Sequence, residues 1–349
     1  MIPYGIISDT HNHNWSAFAT ESDKGLNSRL MTTLAETMRC AAEVKKLGGN
    51  TMYHCGDLFH VRGSIAPSVL NPTLDCYKAI IDSGVHIIIN AGNHDLEGKS
   101  ADRISSAITA LEGVGCTVIN TPVYGMDDVV IIPWVQDIKE LKAAIEYIAP
   151  TDRASCDLLL HAPIDGVIPG IPDHGLTAGW LQGLGYRRVF SGHYHNHKDL
   201  GGGVYSIGAL THLTWGDVGT KAGYLIVSDA GVDWRSTHAP QFVDISDIED
   251  DDEIRMAVDG NFVRISLNSP KPGEVDGIRE LLTSYGAKGV QVLATANPAA
   301  ATARSGASVV SKGQTLDASI SSYVSTQSFK NPTKVAVLCS EILAQVRAV

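Results

Sequence analysis

Apolar residues come in short runs, each stopped by a small or polar cluster, and the runs at residues 2–8, 51–56, 85–91, 157–161 and 187–191 read as buried strands. Between the early runs the spacing changes to steps of three and four. Leu30, Leu34, Met38, Ala41 and Val44 give one apolar face to a helix over residues 27–47, which Gly48 and Gly49 stop. Asn71 and Pro72 read as the cap and first position of a second helix, closed by Gly84. Asp137 and Glu140 predict a capping-box-like start for "IKELKAAIEYI". Strand and helix alternate here, which is α/β order. From residue 203 the pattern turns to short β runs, "GVYSIGA", "GYLIVSD" and "VDWRSTH", and predicts a second sheet packed on the first. "NFVRISLN", "GEVDGIRELLTSYG" and "GVQVLATA" then read as strand, helix and strand. Residues 297–315 read as an Ala, Ser and Gly-rich loop, and "NPTKVAVLCSEILAQV" as a closing helix capped by Asn331.

The expected architecture is therefore α/β: two packed mixed β-sheets flanked by helices, followed by a small C-terminal α/β domain. A chain of 349 residues with 44% apolar content can bury the core this needs. No run approaches the ~18 apolar residues of a membrane span, and no basic stretch precedes the first strand. The expectation is a cytoplasmic protein that does not enter a membrane. Six cysteines without a C-x-x-C pair read as reduced core residues. A net charge of −11 argues against a nucleic-acid partner, but seven of the acids fall in residues 244–253 and read as a solvated linker. Without them the chain carries −4, which two divalent cations would cancel.

Ligands of a largely parallel sheet bind beyond the carboxyl ends of its strands. There the chain places "SDTH" with Asp9 and His11, "HCGDLFH" with Asp57 and His60, and "GNHD" with Asn93, His94 and Asp95. "DLLLHAP" adds His161, and "SGHYHNHKD" adds His193, His195 and His197 at alternate positions. Taken singly, an Asp after a strand is a common turn former. Five such blocks, all at strand ends and all built from Asp, Asn and His, point to one site. The absence of thiolates excludes a zinc site of the cysteine type, and carboxylate, amide and imidazole suit manganese, iron or zinc. So many ligands exceed the needs of one ion and suit two ions that share a carboxylate.

In this order, across residues 9–195, the blocks resemble the calcineurin-like metallophosphoesterase superfamily, with its pattern of D-x-H, G-D, G-N-H-D, a lone His and G-H-x-H. The resemblance implies a metallophosphoesterase sandwich in which Asp9, His11 and His195 hold one metal, Asn93, His161 and His193 hold the other, and Asp57 bridges them. Two divalent ions are implied, manganese foremost, with iron, zinc or magnesium as the other candidates. Such a pair, ~3.5–4 Å apart, lowers the pKa of a bridging water and offsets charge on the phosphate. The leaving oxygen needs a proton, which the non-ligand His94 is placed to give, with Asp95 orienting its ring. His13, His54 and His197 fall outside the pattern and read as ordinary structural residues.

"GDLFHVRG" lacks the second Asp that the protein phosphatases of this superfamily carry. "GDLFH", "GNHD", a "GHYH" block followed by "YSIGALTHLTWGD" and the small α/β tail are most similar to the SbcD-type DNA repair exonuclease branch. Residues 12–26 make a longer segment before the first helix than that branch leads one to expect. The resemblance implies a nuclease domain at 1–243, an acidic linker at 244–255 and a capping domain at 256–349, with His60 near the scissile phosphate. It also implies DNA as substrate, a separate SMC-like ATPase of the SbcC type as partner, and a homodimer. No G-x-x-x-x-G-K-[ST] loop is present, so an ATP-driven step would belong to another chain. Tyr194, Trp215 and Phe59 are candidates to stack on bases, with core or rim packing as the other reading. Arg62, Arg103, Arg187 and Arg188 are candidate phosphate contacts. A phosphodiesterase for small or cyclic nucleotides would use the same centre, and a non-catalytic scaffold is the remote alternative.

Overall fold

The computed structural model describes residues 1–98, 104–126, 128–271, 273–295, 324 and 331–347, so the loop expected at 297–315 and Arg103 lie outside the described residues. Strands β1 (Tyr4–Ile7), β2 (Thr51–Cys55), β3 (His86–Asn90) and β4 (Thr117–Ile119) run parallel in one sheet. Strands β5 (Val123–Met126), β6 (Val129–Ile132), β7 (Asp157–His161), β8 (Arg188–Gly192), β9 (Lys198–Asp199) and β10 (Val204–Ser206) form a second, in the order β5-β6-β7-β8-β10-β9. The hairpin β11 (Gly223–Ser228) and β12 (Gly231–Ser236) returns to the first sheet, antiparallel beside β1, giving the order β12-β11-β1-β2-β3-β4. The second sheet thus begins at residue 123, well before the change of pattern at 203. The reason lies in β11: Tyr224 and Ile226 join the helix-side core while Leu225 and Val227 join the core between the sheets, so the strand needs a sheet with both faces covered.

Ile6, Tyr53 and Ile88 of the first sheet pack against Ile131, Leu159 and Phe190 of the second, and these side chains are the layer between them. On the outer face of the first sheet lie α1 (Ser28–Lys46) and α2 (Pro67–Asp82); α3 (Ile138–Glu146) and α5 (Ala178–Gly183) cover the second, with a one-turn α4 (Pro150–Arg153) between them in sequence. Asn27 caps α1 by accepting from the amides of Arg29 and Leu30, and Asp137 caps α3 in the same way. Leu30, Leu34, Ala41 and Val44 are buried as expected, whereas Met38 is 46% exposed. Helix α2 corrects the expected start: it begins at Pro67, whose fixed φ suits the first position, and Asn71 and Pro72 fall inside it.

The acidic segment also differs from a linker. Asp250 caps a helix, α6 (Asp251–Val258), and Asp251, Asp252 and Glu253 fill its first turn, where carboxylates meet the positive end of the helix dipole. Strand β13 (Phe242–Asp244) before it and β14 (Phe262–Asn268) and β15 (Gly289–Thr295) after it form a three-stranded sheet, with α7 (Glu274–Ser284) following β14. The chain divides into two compact units, residues 1–265 with 276–291, and residues 266–275 with 292–349. A helix at Pro332–Arg347 is capped by the Asn331 side chain, 3.1 Å from the Lys334 amide. No described helix is long and apolar enough to cross a membrane.

All six cysteines are free; five are buried and Cys339 is half-buried. Burial pushes the thiols of Cys76 and Cys116 up to about 12 and those of Cys40 and Cys55 higher still. A thiol reagent at pH 8 is therefore expected to label Cys339 alone at once in the native protein. Prompt labelling of a second thiol would contradict the packing.

Candidate metal centre

Just past β1 and β2 the chain runs as two loops side by side. The amide of Asp9 donates to the Gly56 carbonyl at 3.0 Å, that of His11 to Asp57 at 3.0 Å and that of Asn12 to Leu58 at 2.7 Å. Asp9, His11, Asp57 and His193 all take positive φ, at 50°, 43°, 55° and 99°. Side-chain-bearing residues rarely sit there, and such strain persists only where the surroundings over-determine it. Contact between loops explains two glycines: a Cβ on Gly56 would lie 2.8 Å from the Gly92 Cα, and one on Gly92 would run into Asp57.

These turns bring the blocks together. Asp9, His11 and His195 offer ligand atoms within 4.8 Å of one another, and Asp57, His161 and His193 do the same. Asn93 joins the second group, its Oδ1 lying 3.2 Å from His161 Nε2 and 2.9 Å from His193 Nδ1. Asp57 stands between the groups: its Oδ1 accepts from the His94 amide at 2.7 Å, and its Oδ2 lies 3.6 Å from His11 Nε2 and 3.5 Å from His161 Nε2.

The donor set fits a pair of cations. His161 Nδ1 donates to the Cys55 carbonyl at 2.7 Å, so in the neutral ring Nε2 aims a lone pair at the oxygens of Asn93 and Asp57. Nε2 of His11 is buried without a hydrogen-bond partner. Lone pairs that converge away from water repel unless positive charge lies between them, and oxygen with imidazole nitrogen suits first-row divalent metals. The charges agree. Burial alone would raise the Asp57 carboxyl, but the surrounding imidazoles, His161 foremost, hold it far below the usual range. Burial opposes a charged His161, yet Asp57 and Asp9 lift it to about 9, so without a cation a proton on Nε2 supplies the positive charge that these oxygens call for. Burial also raises Asp9 and drives His11 well down.

Two neighbours had no place in the sequence reading. Asp217 accepts from the Leu213 and Thr214 amides through Oδ2, both at 2.8 Å, and holds His195 Nδ1 at 2.9 Å through Oδ1. Its spacing from Thr214 is that of a capping box, which was the available signal. Trp134, just past β6, stacks on the His193 ring at 5.3 Å; a search of strand ends for polar residues passes over it. A carboxylate behind a ligand histidine fixes its tautomer and raises its basicity. Asp217→Asn is expected to weaken manganese binding ~10–100-fold in a metal titration; an unchanged affinity would exclude this role.

Asp95 requires a correction. Its carboxylate accepts from the amides of Gly92 and Asp57 at 2.9 Å and Phe59 at 3.0 Å, so it fastens the loops together and does not orient the His94 ring. Burial and the nearby Asp57 push its carboxyl up to about 7, against the pull of those amides. His94 is held by the His60 carbonyl, 2.7 Å from its Nδ1, and its ring lies 4.7 Å from that of His11. The His60 ring has its Nδ1 3.4 Å from His11 Nδ1 and packs 4.5 Å from Trp15.

The remaining candidates are scattered. Arg62 is exposed two residues past His60, and Tyr194 is half-buried with its ring 5.2 Å from His193. Trp215 belongs to an aromatic cluster, 4.8 Å from Phe242 and 6.0 Å from Phe18. Phe59 is a core residue, 1% exposed. Arg187 and Arg188 pair with buried Asp157 at the start of β7, at 2.8 and 3.4 Å, which places them at the opposite ends of the strands from the site. His13 lies beside His60, His54 bonds Thr10 Oγ1 at 3.1 Å, and His197 stacks on Trp234 at 5.6 Å.

Paired sheets with Asp, Asn and His gathered beyond their carboxyl ends define a metal-dependent hydrolase of phosphate esters. The family profile of the calcineurin-like phosphoesterases matches residues 2–197, more than half of the chain, and the chain belongs to that family. Exonuclease subunit 1 of Enterobacteria phage T4 is 26% identical over 190 residues, covering 52% of this chain and 53% of that protein. The chain thus spans about half the length of the curated relative it matches. Among solved structures, it is similar to a dimetal phosphatase from Danio rerio, at 10% identity and a TM-score of 0.38, over 64% of this chain and 91% of that one. It is also similar to nuclease MPE from Pseudomonas putida, at 17% identity and a TM-score of 0.29, over 58% of this chain and 66% of that one.

Proposed function

We propose that the chain is a dinuclear-metal phosphodiesterase acting on DNA, an exo- or endonuclease of the SbcD type. The observation that carries the choice of a nuclease is the match to an exonuclease subunit, and DNA is the substrate that the SbcD-type resemblance implies. In this reading Asp9, His11 and His195 would hold one divalent cation, Asn93, His161 and His193 would hold the other, and Asp57 would serve both. Such a pair, with manganese the first candidate, would supply an activated water and offset charge on the phosphate.

The chain's own groups do the rest. As an imidazolium, with Nδ1–H held by the His60 carbonyl, His94 would present Nε2–H to the leaving oxygen and give it the proton it needs. Asp95 fixes the amide of Asp57, and His94's amide fixes the Asp57 carboxylate, so the shared ligand has one orientation. His60 and Arg62 follow Asp57 on the same loop, and in this reading they would meet the substrate. Residues 1–243 carry the chemistry and residues 256–349 act as the cap. That the curated relative is named as a subunit supports a separate partner chain, for which an SMC-like ATPase is the candidate.

The test compares substrates. Manganese-loaded protein is expected to cut single- or double-stranded DNA as well as a small chromogenic diester. Rapid hydrolysis of the diester or of a cyclic nucleotide, with both DNAs left intact, would replace this reading with a small-nucleotide phosphodiesterase.

A further inference from the structure

Residues 12–26 fold over the start of α1 and roof a cavity of about 370 Å³. Its size falls in the range of small-ligand sites, ~300–1,000 Å³. Trp15, Phe18 and Phe262 supply ring surface, Thr32 and Thr211 supply hydroxyls, and Lys288 supplies an exposed ammonium group. Arg29 also lines it, 8% exposed, with its guanidinium 5.1 Å from the Trp15 ring. Its Nη groups donate to the carbonyls of Ala17, His212 and Leu213, and among the described residues no carboxylate pairs with it. Asp217 offsets part of the Arg29 charge from nearby, and Lys288 adds an exposed cation beside the aromatic faces.

The cavity also has a direction. Trp15 packs on His60 at 4.5 Å, and His60 stacks over His94 at 5.6 Å, so aromatic rings lead without a break from the candidate general acid to the cavity. Flat rings, hydroxyls and an exposed cation together match a nucleobase with its phosphate.

We infer that this cavity holds one unstacked nucleotide of the DNA strand whose neighbouring phosphodiester lies at the metal centre. The inference rests on the nuclease reading above. Trp15 supplies the stacking surface at the entrance, Lys288 meets the phosphate with the buried Arg29 charge behind it, and the hydroxyls meet the base edge without demanding one sequence.

A 5′-phosphorylated single-stranded decamer, carrying 2-aminopurine at successive positions, tests it by fluorescence and anisotropy in the presence of chelator. One position is expected to be quenched by the native protein. Trp15→Ala should abolish that quench and weaken binding on the order of tenfold. Thr32→Trp fills the cavity from α1 and should do the same while leaving Trp15 in place, which keeps the test decisive if Trp15→Ala does not fold. Native affinity and native quenching in both folded variants would overturn the inference, and if the native protein still cuts the decamer with manganese, the nuclease reading survives it. Should the manganese-loaded native protein hydrolyse bis(p-nitrophenyl) phosphate and leave the decamer whole, the nuclease reading itself fails, and the inference with it.

Discussion

Asp57→Asn is expected to leave the purified protein folded, with fewer than two metal ions per chain, and to slow diester hydrolysis more than ~100-fold, beyond the loss typical of a residue that only supports a ligand. The new amide can still accept from the His94 amide, as Oδ1 does now at 2.7 Å. Its other end changes sign. Where Oδ2 faces Nε2 of both His11 and His161, at 3.6 and 3.5 Å, an N–H would stand and satisfy an imidazole lone pair directly. The substitution thus places a neutral hydrogen-bond donor where the cations would lie, and removes the one carboxylate that both groups share. Elemental analysis with a rate measurement checks it. Two ions retained at an unchanged rate would exclude Asp57 as the shared ligand.

His94→Ala is expected to do the reverse, keeping both ions while lowering kcat ~10²–10⁴-fold, the range of general acid–base catalysis. The His94 ring belongs to neither of these two groups, although a ligand atom of it lies within 4.8 Å of those of His11 and His60, and its Nδ1 is already taken by the His60 carbonyl. The size of the loss should follow the leaving group. Nitrophenolate departs without a proton and DNA's sugar oxygen does not, so the variant should lose far more against DNA than against bis(p-nitrophenyl) phosphate. Equal losses on both would remove His94 as the proton donor, and loss of metal would make it a ligand.

Most of the site was legible because it follows strands. Asp9, Asp57, Asn93, His161 and His193 each come at or just after the end of a buried apolar run, and parallel pairing carries those ends to one edge. What supports them was not legible in the same way. Asp217 looks like a turn residue and is one, since Oδ2 closes a cap; only the fold shows that Oδ1 is left for His195. Asp95 was placed on the His94 ring because the two adjoin in sequence, whereas its carboxylate reaches amides on two neighbouring loops. Adjacency in sequence says nothing about which way successive side chains point. The start of α2 was misplaced because Asn71–Pro72 and Pro67 are both acceptable helix openings, and local preference cannot choose between them. The hairpin at 223–236 was read as part of a new sheet because alternation reports a strand and not its partner.

The central claim is that Asp57 sits between two cations. Anomalous diffraction from a crystal soaked in manganese tests it most directly. The account predicts two peaks ~3.5–4 Å apart, one among Asp9, His11 and His195, the other among Asn93, His161 and His193, with Asp57 Oδ2 reaching both. A fully soaked crystal with a single peak, or with none among these side chains, would contradict it.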